Sequence, residues 1–106
     1  MKVVFHEDFY QVYTGDPAAA SGRMEAIVQA ALQDCRADLI GISAGFDNHA
    51  EDWGGLLKTR DYETIGHMVR STADRNGGGC FGILEGGYNH SVLGENVLAL
   101  IQGMGG

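Results

Sequence analysis

Three short apolar, β-branched runs alternate along this chain with three segments whose apolar residues recur at helical spacing. The runs are Val3-Val4-Phe5, Leu39-Ile40-Gly41-Ile42 and Cys80-Phe81-Gly82-Ile83-Leu84. Between the first two, Met24, Ile27, Val28, Ala31 and Leu32 fall at i, i+3, i+4, i+7 and i+8, one face of an amphipathic helix with Ser21 as its expected N-cap. A second helix is expected from Thr59, with Tyr62, Ile65, Val69 and Thr72 or Ala73 on one face, and Asn76-Gly77-Gly78-Gly79 ending it. A third carries Leu93, Val97, Leu100 and Ile101 on one stripe and runs out at Gly103, with Gly105-Gly106 as a frayed tail. Alternating strands and helices predict an α/β fold, a three-layer sandwich around a short parallel sheet of about three strands (βαβαβα). Ser43-Ala44-Gly45 then ends a buried strand closely beneath a ligand.

The long connection from His6 to Ala20 holds the one proline, and Asp16-Pro17 is expected to cap a short helical turn there. At 106 residues the chain is read as one domain, 1–106, with enough length for one core. Open edges on a parallel sheet predict either coverage by the long first connection or a homo-oligomer through the exposed strands.

Fourteen acidic against seven basic residues give a net charge of −7, which argues against direct nucleic-acid binding and reads either as a solubility device or as a field that suits a cationic small molecule. No apolar run approaches the roughly 18 residues of a membrane span, so no membrane partner is expected. Met1-Lys2-Val3-Val4-Phe5-His6 does not read as a secretory signal, and Cys35 and Cys80 are too few for a disulfide framework. A cytoplasmic protein with reduced thiols is the expectation.

Candidate chemistry gathers at two strand ends, where ligands of open parallel sheets sit. Asp47 and His49 follow the second run, two residues apart, a carboxylate and an imidazole suited to zinc. A catalytic zinc takes three protein ligands, and the third is expected from His6, Asp8, Asp52, His90 or another subunit. Without a metal, Asp47 reads as a capping carboxylate and His49 as a solvated loop residue. Tyr88, after the turn Glu85-Gly86-Gly87, is placed either to donate a hydrogen bond to an oxyanion or to pack. Glu85-Gly86-Gly87 matches neither common phosphate-loop spacing.

Ser43-Ala44-Gly45-Phe46-Asp47-Asn48-His49 and Leu84-Glu85-Gly86-Gly87-Tyr88-Asn89 resemble the last two core-strand motifs of the histone deacetylase and acetylpolyamine amidohydrolase family. The opening, Lys2 to His6, Val12-Tyr13, Asp16 to Ala20 and Gly22 to Glu25, resembles the start of its archaeal and bacterial members. The resemblance joins two ends of a longer enzyme and implies a truncated arginase/deacetylase-like fold. It implies that Asp47 corresponds to a zinc-ligating aspartate, Tyr88 to the tyrosine that polarises the acyl carbonyl, and Arg23, Gly86 and Gly87 to cavity residues. The family's strand-end Asp-x-His pair and tandem His-His have no counterpart in context, since the one Asp-x-His is Asp47-Asn48-His49. With that half absent, zinc-dependent hydrolysis of acetylated amines is expected to be weak or missing in the chain alone. The alternatives are a non-catalytic binding or oligomerisation module, or a zinc site rebuilt at a subunit interface. The family's strand order implies that the third strand sits between the first and second, with the sequential order as the alternative.

Overall fold

A computed structural model describes residues 15–106 of the chain. The expected first strand, Val3-Val4-Phe5, and the candidate ligands His6 and Asp8 lie outside the described residues. Helix α1 spans Ala20–Gln33, strand β1 Leu39–Ala44, helix α2 Thr59–Arg75, strand β2 Gly79–Leu84 and helix α3 His90–Gly103. Five of the six expected elements are therefore in place, with boundaries close to those read from periodicity.

Their ends follow local chemistry. Asp16 caps a single 3₁₀ turn, Pro17–Ala19, by accepting the Ala18 amide, and proline fills the first position. That turn runs directly into α1, so Ser21 lies inside the helix and is not its N-cap. Its hydroxyl instead donates to Asp61 Oδ2 at 2.7 Å, the same oxygen that takes the Lys58 amide at the start of α2. One buried carboxylate thus ties two helix starts together. At the far end of α2, Gly77 adopts φ +72°, and the Gly77 and Gly78 amides return to Asp74 and Ala73 carbonyls. The same closure ends α3: the Gly105 and Gly106 amides bind the Gln102 and Ile101 carbonyls, so Gly105-Gly106 forms a capped turn where fraying was expected.

β1 and β2 pair in parallel from Leu39↔Gly79 to Ala44↔Leu84. Both candidate strand orders make these two neighbours. On one sheet face Ala44 joins a core of Ala20, Met24, Phe46, Leu57, Tyr62, Ala99 and Leu100, with Ile42 against it and Leu100 reaching over Gly82, while Leu84 at the rim of that face is 59% exposed. Helix α1 contributes Ala20 and Met24 to that same core and lies against α2, so all three helices share it. The other face presents Leu39, Phe81 and Ile83, which are 60%, 42% and 50% exposed. The described residues therefore make two layers, and the second helical layer of a three-layer sandwich is not among them. The expected fully buried strand becomes half-buried for the same reason. On the third helix, Leu100 is buried as expected, while Ile101 faces out and Asn96, Ala99 and Gly103 take the inner positions.

Gly103 and Gly66 explain that rotation. A Cβ on Gly66 would strike the Leu100 carbonyl, and one on Gly103 would strike the Glu63 carbonyl. Helices α2 and α3 thus meet backbone to backbone, and the stripe that faces α2 is chosen by small residues as much as by apolar ones.

Candidate functional site

Because Ala44 is in register with Leu84, the segments leaving β1 and β2 start side by side at one rim of the sheet. Phe46–Asn48 forms a 3₁₀ turn, and Phe46 plugs it into the core, 1% exposed and with its ring 5.0 Å from that of Tyr62. The Phe46 amide donates to the Gly86 carbonyl, which pulls the two segments together. Asp47 then faces the backbone of the second turn, where a Cβ on Gly86 would collide with its carboxylate. Gly87 adopts φ +143° and passes close to Leu93 and Phe46. Asp47, Gly86, Gly87 and Tyr88 therefore share the rim, as their positions after the two strands predict.

His49 does not. It is 5% exposed and turned into the protein. An amide can only donate, so the Glu51 N–H at 3.1 Å marks Nδ1 as the bare nitrogen. Nε2 then carries the proton and donates to Thr59 Oγ1 at 3.2 Å, and the Thr59 hydroxyl donates to Asn96 Oδ1 at 2.7 Å. Both ring nitrogens are engaged inside the fold, so in this arrangement the imidazole has no lone pair to offer an ion beside Asp47. Its place is that of an anchor for the loop of residues 49–57, at the isolated bridge His49↔Leu57.

Asp52, a candidate for a third metal ligand, is committed elsewhere too. Its Oδ1 accepts the Trp53 amide at 2.7 Å, and its Oδ2 accepts the Tyr88 and Asn89 amides, each at 2.9 Å. The Asn89 amide foremost holds this carboxyl below its ordinary value, partial burial opposes it, and the Trp53 and Tyr88 amides add to the lowering. Asn89 Nδ2 donates to the Glu51 carbonyl at 2.7 Å, while Asn89 Oδ1 caps α3 at Ser91. The Trp53 and Tyr88 rings stack, with centroids 4.3 Å apart and planes 25° off parallel. Sequence reasoning missed this clasp. The available signal was an Asp directly before Trp-Gly-Gly, since Asp readily accepts nearby backbone amides.

Arg23 sits on α1 with its guanidinium against the Gly15-Asp16 backbone, where Nη1 donates to the Asp16 carbonyl at 2.7 Å. His67 is exposed on α2, and His90 is exposed at the first position of α3.

A family model of the histone deacetylase domain matches residues 10–104. The chain belongs to the histone deacetylase family. It is 34% identical over 82 residues to a probable deacetylase of Methanothermobacter thermautotrophicus, covering 76% of this chain and 24% of that protein. It is 33% identical over 86 residues to a histone deacetylase-like amidohydrolase of Pseudomonas aeruginosa, covering 78% of this chain and 23% of the relative. With a type-2 histone deacetylase 1 of Dictyostelium discoideum it shares 37% identity over 95 residues, covering 84% and 6% of the two proteins. The chain thus spans about a quarter or less of the curated relatives it matches. No solved structure matches at the same level of significance.

Among the described residues no group of three or more His, Cys, Asp or Glu is arranged to hold a metal ion. Asp47 stands at the rim, but His49 and Asp52 are directed to internal partners. The described residues do not by themselves fit a zinc ion. Also among the described residues, no helix is long and apolar enough to cross a membrane.

Proposed function

We propose that this chain is the carbonyl-recognising part of a deacetylase domain: it binds an acylated amine through the Tyr88 phenol and alone hydrolyses it weakly or not at all. The observation that carries this reading is the fixed presentation of Tyr88 at the rim, with its amide on Asp52 and its turn pressed against Asp47 through Gly86. A phenol held in that way can donate to an acyl oxygen without first having to be ordered. Gly86 and Gly87 let the backbone come close, and Asp47 is the rim carboxylate offered to a zinc ion whose other ligands lie outside the described residues. Arg23, held at the start of α1, is assigned to the wall of the acyl cavity by family resemblance alone. A net charge of −7 favours an amine, preferably cationic, over an anionic ligand. Cys35 and Cys80 are both free thiols, which suits a reducing, cytoplasmic setting.

The test is titration of an acetyl-lysine peptide into the wild type, Tyr88→Phe and Asp47→Asn, with bound zinc and released acetate measured in parallel. Weaker binding by Tyr88→Phe with acetate release at background supports the proposal. Equal binding by wild type and Tyr88→Phe overturns it. Stoichiometric zinc, together with turnover that Asp47→Asn abolishes, replaces it with the reading of an amidohydrolase whose zinc site is completed by other residues of the chain or by a second subunit.

A further inference from the structure

Tyr88 is 54% exposed and Trp53 80% exposed, and rings so open to water ordinarily sample several rotamers. Here they lie on one another at 4.3 Å, and a single carboxylate controls the backbone beneath both. One oxygen of Asp52 holds the amide of Trp53, and the other holds the amides of Tyr88 and Asn89. Loop and turn are joined a second time by Asn89 Nδ2 on the Glu51 carbonyl, and the loop is rooted in the core by the Glu51 amide on buried His49. Two side chains that are 35 residues apart in the chain therefore reach their relative position through Asp52. The indole stacks on the phenol ring, and Tyr88 remains 54% exposed beside it.

We propose that Asp52 and Trp53 are positioning residues for Tyr88: the carboxylate fixes the phenol's backbone, the indole fixes its ring, and together they set the direction from which an acyl carbonyl can be met. The proposal rests on the assignment of Tyr88 as the carbonyl donor. A hydrogen-bond donor whose direction is already fixed when the ligand arrives avoids the cost of being immobilised on binding. Neither residue touches the acyl group in this scheme; both act through the phenol. Trp53 is the one tryptophan of the chain, so its emission and the ring-current shift it imposes on Tyr88 report the stack without interference.

The experiment compares wild type, Asp52→Ala, Trp53→Ala and Trp53→Phe, each also in a Tyr88→Phe background. Tyrosine ring signals are read by NMR and an acetyl-lysine peptide is the probe. Backbone signals of α2 and α3 verify folding. Trp53→Phe is expected to keep the stacked ring shift and near-wild-type binding. Asp52→Ala and Trp53→Ala should lose the shift and bind up to about tenfold more weakly, the effect of leaving one side chain to be immobilised on binding. In the Tyr88→Phe background the same substitutions should change peptide binding little, because their effect passes through the phenol. The proposal is overturned if Asp52→Ala retains the shift, or if it weakens binding equally with and without the Tyr88 hydroxyl. If wild type and Tyr88→Phe bind alike, the proposed function fails, and the Tyr88 ring shift in Asp52→Ala alone decides whether the clasp positions the ring.

Discussion

Where α2 crosses α3, Gly66 and Gly103 bring two backbones into contact with no side chain between them, whereas at the rim the loop of residues 49–57 meets the turn of residues 85–89 through a carboxylate, an amide side chain and two exposed rings. The first junction is specified by the absence of atoms and resists any added volume. The second is specified by acceptors placed under amides and tolerates volume, but not the loss of a partner. A helix layer built in the first way is expected to give a stiff base, and a rim built in the second way is expected to release before the domain unfolds.

The sharpest way to break the comparison is to add atoms at the crossing. Gly66→Val should lower unfolding free energy by about 3 kcal/mol, since the new side chain meets the Leu100 carbonyl and the Gly103-Met104 backbone, which cannot move aside as a flexible side chain would. Urea denaturation followed by far-UV circular dichroism measures it. A loss below about 1 kcal/mol would mean that the helices slide apart freely and that the crossing is not the stiff element.

Thr59→Val comes next, because Thr59 joins the two regions. Its hydroxyl accepts from His49 of the rim loop and donates to Asn96, a fully buried residue of α3 whose Nδ2 has no partner among the described residues. Valine keeps the shape and removes both bonds, leaving buried polar atoms unpaired at a cost of about 2 kcal/mol. Thr59→Ser should recover most of that loss. If the valine variant is as stable as the wild type, then water already satisfies His49 and Asn96 and the link is dispensable.

What the sequence discloses divides along the same line. Periodicity places α1, β1, α2, β2 and α3, and local chemistry places the Asp16-Pro17 turn and the glycine that closes α2, because each depends on residues within one or two turns of each other. Ser21 looks like a cap because a serine precedes an apolar stripe, yet the helix begins one residue earlier and the hydroxyl finds Asp61, 40 residues away. The direction of His49 was equally hidden. Spacing puts it beside Asp47, but its partner Thr59 lies on the next helix and Asn96 on the one after. Asp52 looks like a spare ligand until the turn 36 residues later is brought beneath it. Rim position is legible because it follows strand ends. Side-chain allegiance is not, because it is settled by long-range partners.

The smallest effect on global stability, and the one that isolates the rim, comes from acid. Asp52 titrates below its ordinary value of 3.8 in the folded protein, chiefly because the Asn89 amide, and then those of Trp53 and Tyr88, favour its charged form. A carboxyl with a lowered folded value contributes stability that is fully present above its unfolded value and is lost as pH falls through the folded one. The Trp53 emission and the near-ultraviolet signal of the Trp53–Tyr88 stack should therefore stay constant from neutral pH down to about 4, and change below it. In Asp52→Asn the acid-side change should be absent, with the stack already weakened at neutral pH. Far-UV circular dichroism, recorded together, separates this local release from unfolding caused by other carboxylates. If the stack signal moves only when the helices melt, the rim has no independent freedom, and loop and helix layer form one cooperative unit.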